Sequence, residues 1–235
     1  MPKADSHKKK MADPAVLLPM AGFTIWGFSL LLTRIGQRHA GPMVLLSIRF
    51  LLAFALLNIP LLLGREHLRL RGRNLRPLLV LGVLEPLCFV FESYAIYFTN
   101  ATITGVVSAL SPIAAMMLAA ALLKEYPTRR QALFSLLPVA GVVLLTAAGQ
   151  EAGAVAWVGI PFLLGYSVCS GYFKVANRSA AGFSPYERTY ALLLSCAVCF
   201  TAAALVEFGG YLNAYVQPLH RPAFVAAVLA LSVLC

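Results

Sequence analysis

Three ionisable side chains stand where water is not expected. Arg49 lies within the apolar run Met43 to Leu63, and Glu85 and Glu92 lie within the run Pro77 to Phe98. A charge at mid-depth in hydrocarbon costs several kcal/mol unless it is paired or lines a wet cavity, so each of these residues is a functional candidate by default. Counted from Pro77 at 1.5 Å per residue, Glu85 falls about 12 Å deep, close to a bilayer midplane. Glu92 and Arg49 each stand about 9 Å in from the opposite face, measured from Phe98 and Met43. That match in depth predicts a buried, structural Arg49–Glu92 pair. Glu85 is left without an evident cation at its own depth, and it shares a helix face with Glu92, two turns further on. A carboxyl so placed can take up and release a proton, which makes proton coupling the chemistry expected of it.

Other chemistries find no support. His7, His39, His67 and His220 all fall in predicted loops, with no spacing for a metal or a general base. No glycine-rich phosphate loop is present. Cys196 and Cys199 form a C-x-x-C, but it is embedded in leucine and alanine and reads as packing. Neither an enzyme, a metal site nor a cofactor is expected. Trp26, Phe28, Tyr94, Tyr97, Tyr166 and Tyr172 lie within apolar runs, where aromatic faces suit organic or cationic solutes.

The elements that must position these residues follow from composition. Of 235 residues, 60% are hydrophobic and 12% charged, which a water-soluble domain could not carry at its surface. A membrane-crossing helix needs about 20 apolar residues. Runs of that kind predict helices at Pro14–Thr33, Met43–Leu63, Pro77–Phe98, Thr104–Leu123, Gln131–Gly149, Ala154–Ala176 and Arg188–Phe208, with a partial eighth from Pro222 to Cys235. The expected fold is therefore all-α: a polytopic membrane protein of about seven complete transmembrane helices plus a partial eighth.

The formal net charge is +10. Lys3, Lys8, Lys9 and Lys10 precede the first helix, Arg65, Arg69, Arg71, Arg73 and Arg76 fill the second loop, Lys124, Arg129 and Arg130 the fourth, and Lys174, Arg178 and Arg188 the sixth. Those alternate connections lie on one face, and only Arg34, Arg38 and Arg221 fall on the other. Cations next to a span stay in the cytoplasm, so the bias predicts a cytoplasmic N-terminus and explains the charge without nucleic acid as a partner. The expected location is the plasma or inner cell membrane.

Pro19, Pro86, Pro112, Pro138 and Pro161 fall inside the proposed helices, where each is expected to remove a hydrogen bond and bend the chain. A short repeat is also visible. Gly27-Phe28 precedes Arg34 as Gly171-Tyr172 precedes Arg178, and a proline opens the next helix in both copies, at Pro42 and Pro185. The copies lie five helices apart in chain order, on the first and the sixth. That odd number makes them run in opposite directions, as in transporters built from inverted repeats whose solute site lies near the midplane.

Trp26-Gly27, Arg49-Phe50, Tyr94-Ala95, Ser111-Pro112, Glu125 and Gly141, in that order, resemble the first repeat of the drug/metabolite transporter superfamily, specifically its EamA-type members. One departure is Lys124-Glu125, where the family usually reads Gly-Glu. The resemblance implies two inverted five-helix repeats, here a basic tail at 1–13, a first repeat at 14–149 and an incomplete second at 154–235. It implies alternating-access movement of a small metabolite, amino acid or drug-like solute, with export as the expected direction. It also places Trp26 and Tyr94 around a central cavity, joining Glu85 as candidates for solute contact or coupling. The expected partners are the lipid bilayer, the solute and protons, and a homodimer is left open. Two alternatives stand beside this reading: a truncated membrane fragment that does not transport, and, more weakly, a seven-helix receptor-like protein.

Overall fold

The computed structural model describes residues 14–70, 72–99, 103–105, 111–124, 126–130, 133, 158–207, 209 and 212–234. Among them every regular element is helical: α1 Pro14–Gln37, α2 Pro42–Leu62, α3 Arg76–Phe98, α4 Ser111–Leu123, α5 Gly159–Ser179, α6 Pro185–Glu207, the short α7 Leu212–Val216 and α8 Pro222–Leu234. A 3-10 turn at Gln217–His220 joins α7 to α8. By length and composition three of these helices, α2, α3 and α6, are long and apolar enough to cross a membrane. The helix expected at 131–149 lies, apart from residue 133, outside the described residues, as does most of the segment at 101–110.

Helix starts follow the proline rule, since the missing N–H of proline costs nothing in a first turn. Pro42, Pro185 and Pro222 open their helices and Pro77 is the second residue of α3. Pro161 sits in the first turn of α5, after the N-cap Val158, so it removes no intrahelical bond and does not bend the helix as its position in a longer predicted run suggested. Pro86 is interior to α3, and Pro60, which sequence reading passed over, is interior to α2.

Two helices run beyond their expected limits for identifiable reasons. α1 continues past Thr33 because its last turn is tied to α3: Arg34 Nη1 donates to the carbonyls of Ile96 and Tyr97 at 2.9 and 3.2 Å, and Gln37 Nε2 donates to Ser93 O and Ser93 Oγ, both at 2.9 Å. α6 begins at Pro185 because Ser184 and Glu187 form a reciprocal cap. Glu187 N donates to Ser184 Oγ at 3.1 Å, and Ser184 N donates to Glu187 Oε2 at 2.9 Å.

The directions of the helices can be read from which ends touch. Arg34 near the end of α1 meets the end of α3, so α1 and α3 run the same way. A Cβ on Gly159, the first residue of α5, would lie 2.5 Å from Thr99 Cγ2, just past the end of α3. α5 therefore runs against both α3 and α1. Glu207 at the end of α6 binds the first turn of α2, while Tyr186 at its start donates to Leu57 O near the other end of α2, at 2.7 Å. α2 and α6 are thus antiparallel. α8 runs alongside α2, with Phe224 and Val228 packed on Leu45 and Ser232 bonded to Arg49 O.

A scheme recurs among several of the helix contacts, while the α4–α5 contact and the smaller α1–α3, α2–α3 and α1–α2 contacts fall outside it. α1 packs on α8 as α5 packs on α3; α2 packs on α8 as α6 packs on α3; and α2 and α6 pack on each other. The main core lies between α2 and α6, built from Met43, Leu46, Phe50, Leu193, Cys196 and Phe200.

Candidate functional site

The buried charges gather on α2 and α3. Arg49 is 3% exposed and Glu92 is 6% exposed. The Arg49 guanidinium carbon lies 5.1 Å from the Phe50 ring centroid and 5.2 Å from that of Phe89, so two aromatic faces share its charge. Its backbone carbonyl accepts Ser232 Oγ at 3.0 Å, which fastens α8 to the same turn of α2. Glu92 accepts a hydrogen bond from Tyr166 of α5, and its Oε1 has no hydrogen-bond partner among the described residues. The Arg49 charge acts on the carboxyls of both Glu92 and Glu85. Glu85, which the sequence left without a cation, thus has the same arginine within electrostatic reach. Among the described residues two carboxyls and one guanidinium share this region, so their full ionisation would leave a surplus negative charge.

Around this cluster the aromatic candidates separate. Tyr94 is half-buried on α3 and packs with Phe98 and Phe162, with ring centroids 5.4 Å from Phe162 and 6.0 Å from Phe98. Trp26 is half-buried on α1 and packs on Leu30 and Ile96. It belongs to a different apolar cluster from Phe50 and Phe89, the two rings beside Arg49.

Three interactions escaped the sequence. Glu207 reads as an interfacial residue whose charge reaches water, yet its Oε2 accepts the backbone N–H groups of Met43 and Val44, both at 3.0 Å, and closes the start of α2. At the opposite face Glu187 accepts Arg69 N at 3.0 Å and pairs with Arg73 Nη1 at 3.2 Å. Arg73 also donates through Nη2 to Gly182 O and lies 4.1 Å from the Phe183 ring centroid. This clasp fastens the Arg-rich loop to the α5–α6 turn. Cys88 of α3 and Cys169 of α5 meet with their sulfurs 3.0 Å apart. Only the Ser184-x-x-Glu187 spacing carried a readable sign of any of these, as a capping box.

A bundle of long apolar helices with charged groups gathered at their interfaces defines an integral membrane protein. Its sequence relatives say which class. Residues 13–147 match the EamA-like transporter family, and the chain belongs to that family. It is a membrane transporter. It is 32% identical over 231 residues, 96% of its length and 74% of the relative's, to an uncharacterized transporter, YcxC, of Bacillus subtilis strain 168. It is 25% identical over 124 residues, 52% of its length and 44% of the relative's, to an uncharacterized transporter of Archaeoglobus fulgidus.

Proposed function

We propose that the chain is a secondary transporter that exports a small metabolite, amino acid or drug-like solute by alternating access, exchanging it for protons. The observation that carries this reading is the packing scheme. Exchanging α1 with α5, α2 with α6 and α3 with α8 turns the α1–α8 contact into α5–α3 and the α2–α8 contact into α6–α3, and leaves α2–α6 unchanged. Each exchanged pair is antiparallel: α8 runs parallel to α2, which turns back on α1 through the short connection 38–41 and so opposes α3. Such an exchange supports two inverted repeats, whose relative rocking opens a shared midplane site to one side at a time. The 144-residue offset between Arg34 and Arg178 supports the same assignment.

In this reading Arg49 and Glu92 form the fixed, structural half of the charge cluster, and Glu85 carries the exchangeable proton. Proton entry on Glu85 compensates the surplus negative charge; proton release accompanies the return movement. Tyr94, beside Phe98 and Phe162, offers an aromatic wall to the solute, and Trp26 lines the cavity from α1. With the N-terminus in the cytoplasm, inward proton flow drives solute outward.

The test is solute counterflow in reconstituted vesicles, screened over metabolites, amino acids and organic cations under an imposed proton gradient. Uptake of at least one class is expected, dependent on the gradient. Glu85→Gln should retain gradient-independent exchange and lose its proton dependence. Proton-coupled movement that survives Glu85→Gln would remove the role given to Glu85. A folded, inserted protein that moves none of these solutes would overturn the transport reading.

A further inference from the structure

Cys88 and Cys169 bring two buried thiols together between α3 and α5. Their sulfurs are 3.0 Å apart, and the residues are 6% and 7% exposed. Cys88 stands 12 residues from the start of α3 and ten from its end, and Cys169 stands ten residues from each end of α5. At 1.5 Å per residue both sulfurs are about 15 to 18 Å from either face of a bilayer about 30 Å thick. Their sequence neighbours Leu87 and Val168, and Val83 one turn before Leu87, are exposed on the apolar surface. Among the described residues, apolar side chains alone flank the pair on the outer faces of α3 and α5.

Depth decides which reagents reach it. Charged thiols and disulfides of the aqueous phase are excluded from hydrocarbon, whereas an uncharged, lipid-soluble two-electron carrier is concentrated there. We propose that Cys88 and Cys169 form an intramembrane dithiol site, oxidised by a membrane-soluble quinone to a disulfide that bolts α3 to α5. In the balanced step two S–H bonds break and one S–S bond forms. The two electrons and two protons pass to the quinone, which leaves as hydroquinone. One sulfur adds to the quinone as its proton passes to a quinone oxygen, and the second sulfur then attacks the first, its own proton leaving with the carrier as hydroquinone. The chemistry rests on the sulfur geometry and the depth of the pair; the functional effect rests on the alternating-access reading, because α3 and α5 belong to different proposed repeats and a bond between them stops their relative motion.

The test uses a variant that keeps only this pair, Cys196→Ser, Cys199→Ser and Cys235→Ser, in lipid vesicles, with the unaltered chain alongside. After quinone treatment the protein is unfolded in detergent and its free thiols are counted with mass-tagged maleimide. Two tags are expected before oxidation, none after it and two again after reduction; the unaltered chain goes from five to three. A peptide joined through Cys88 and Cys169 should be recovered. Oxidised glutathione, which is charged, should leave both tags in place. Two persistent tags, loss of one tag to a quinone adduct, or loss of the remaining tag in Cys88→Ser would each overturn the site. Equal oxidation by glutathione would overturn the quinone as oxidant. Solute uptake that falls at least tenfold on oxidation and recovers on reduction supports the bolt, and a disulfide that leaves uptake unchanged overturns it. The thiol count needs no transport activity, so failure of the site and failure of the transport reading are told apart.

Discussion

Removing one charge from the Arg49, Glu85 and Glu92 cluster exposes its neighbours to an uncompensated low-dielectric environment. In the proposed cluster, with the proton on Glu85, Arg49→Leu strands the Glu92 carboxylate and should cost about 3 to 5 kcal/mol, whereas Glu92→Leu leaves Arg49 the Glu85 carboxyl and should cost less. The double variant should recover most of that loss. Thermal unfolding in detergent measures both, and a double variant as damaged as the sum of the two singles would end the pairing. Steric fit sets a second expectation. A Cβ on Gly165 would lie 2.7 Å from Phe91 Cε1, so Gly165→Ala must push an aromatic ring away at the α3–α5 contact. Its cost should be about 1 to 3 kcal/mol in the same measurement. The charges in the cluster were legible in the sequence because nothing but an apolar background surrounded them. The reach of Arg49 to Glu85 was not legible, because depth counted along separate helices says nothing about how far a guanidinium extends sideways.

Helices were legible as apolar runs of the right length, and their ends were not, because the ends are fixed by contacts between distant segments. Gln37 and Ser93 extend α1, and they stand 56 residues apart. The clasp at the start of α6 joins Arg73 to Glu187 across 114 residues. Arg73→Ala should cost only on the order of 1 kcal/mol, since its side chain is partly exposed and solvent screens the pair. Ser184→Ala should cost about as much by opening the cap. The two changes act at one site through the same carboxylate, so their combined effect should depart from additivity. Limited proteolysis of the Arg65 to Arg76 loop reports the release: cleavage should quicken in both variants, and an unchanged rate in Arg73→Ala would show that the ion pair does not hold the loop.

At the scale of the whole molecule, the excess of cations on one face predicts that Gly72 lies in the cytoplasm and Gly153 outside. Reporter fusions at the two positions check this, and an external signal at Gly72 would reverse the orientation. The repeat was visible in the sequence as a few residues at a fixed offset. Packing adds what an offset lacks, namely which helices meet and in which direction each runs.

One property of α6 reaches beyond the protein itself. Glu187 grips a loop at one of its ends and Glu207 caps α2 at the other, 20 residues away, a span of about 30 Å. A helix pinned at both rims is not free to tilt, and tilting is the usual way a transmembrane helix adapts to a thicker or thinner bilayer. The two contacts therefore hold α6 at a fixed span against its neighbours, and the bundle must meet a change of bilayer thickness as a unit. Its thermal stability should peak in lipids whose acyl chains match that length and decline on either side, whereas a flat profile from short to long chains would mean that the two carboxylate contacts yield before the bilayer does.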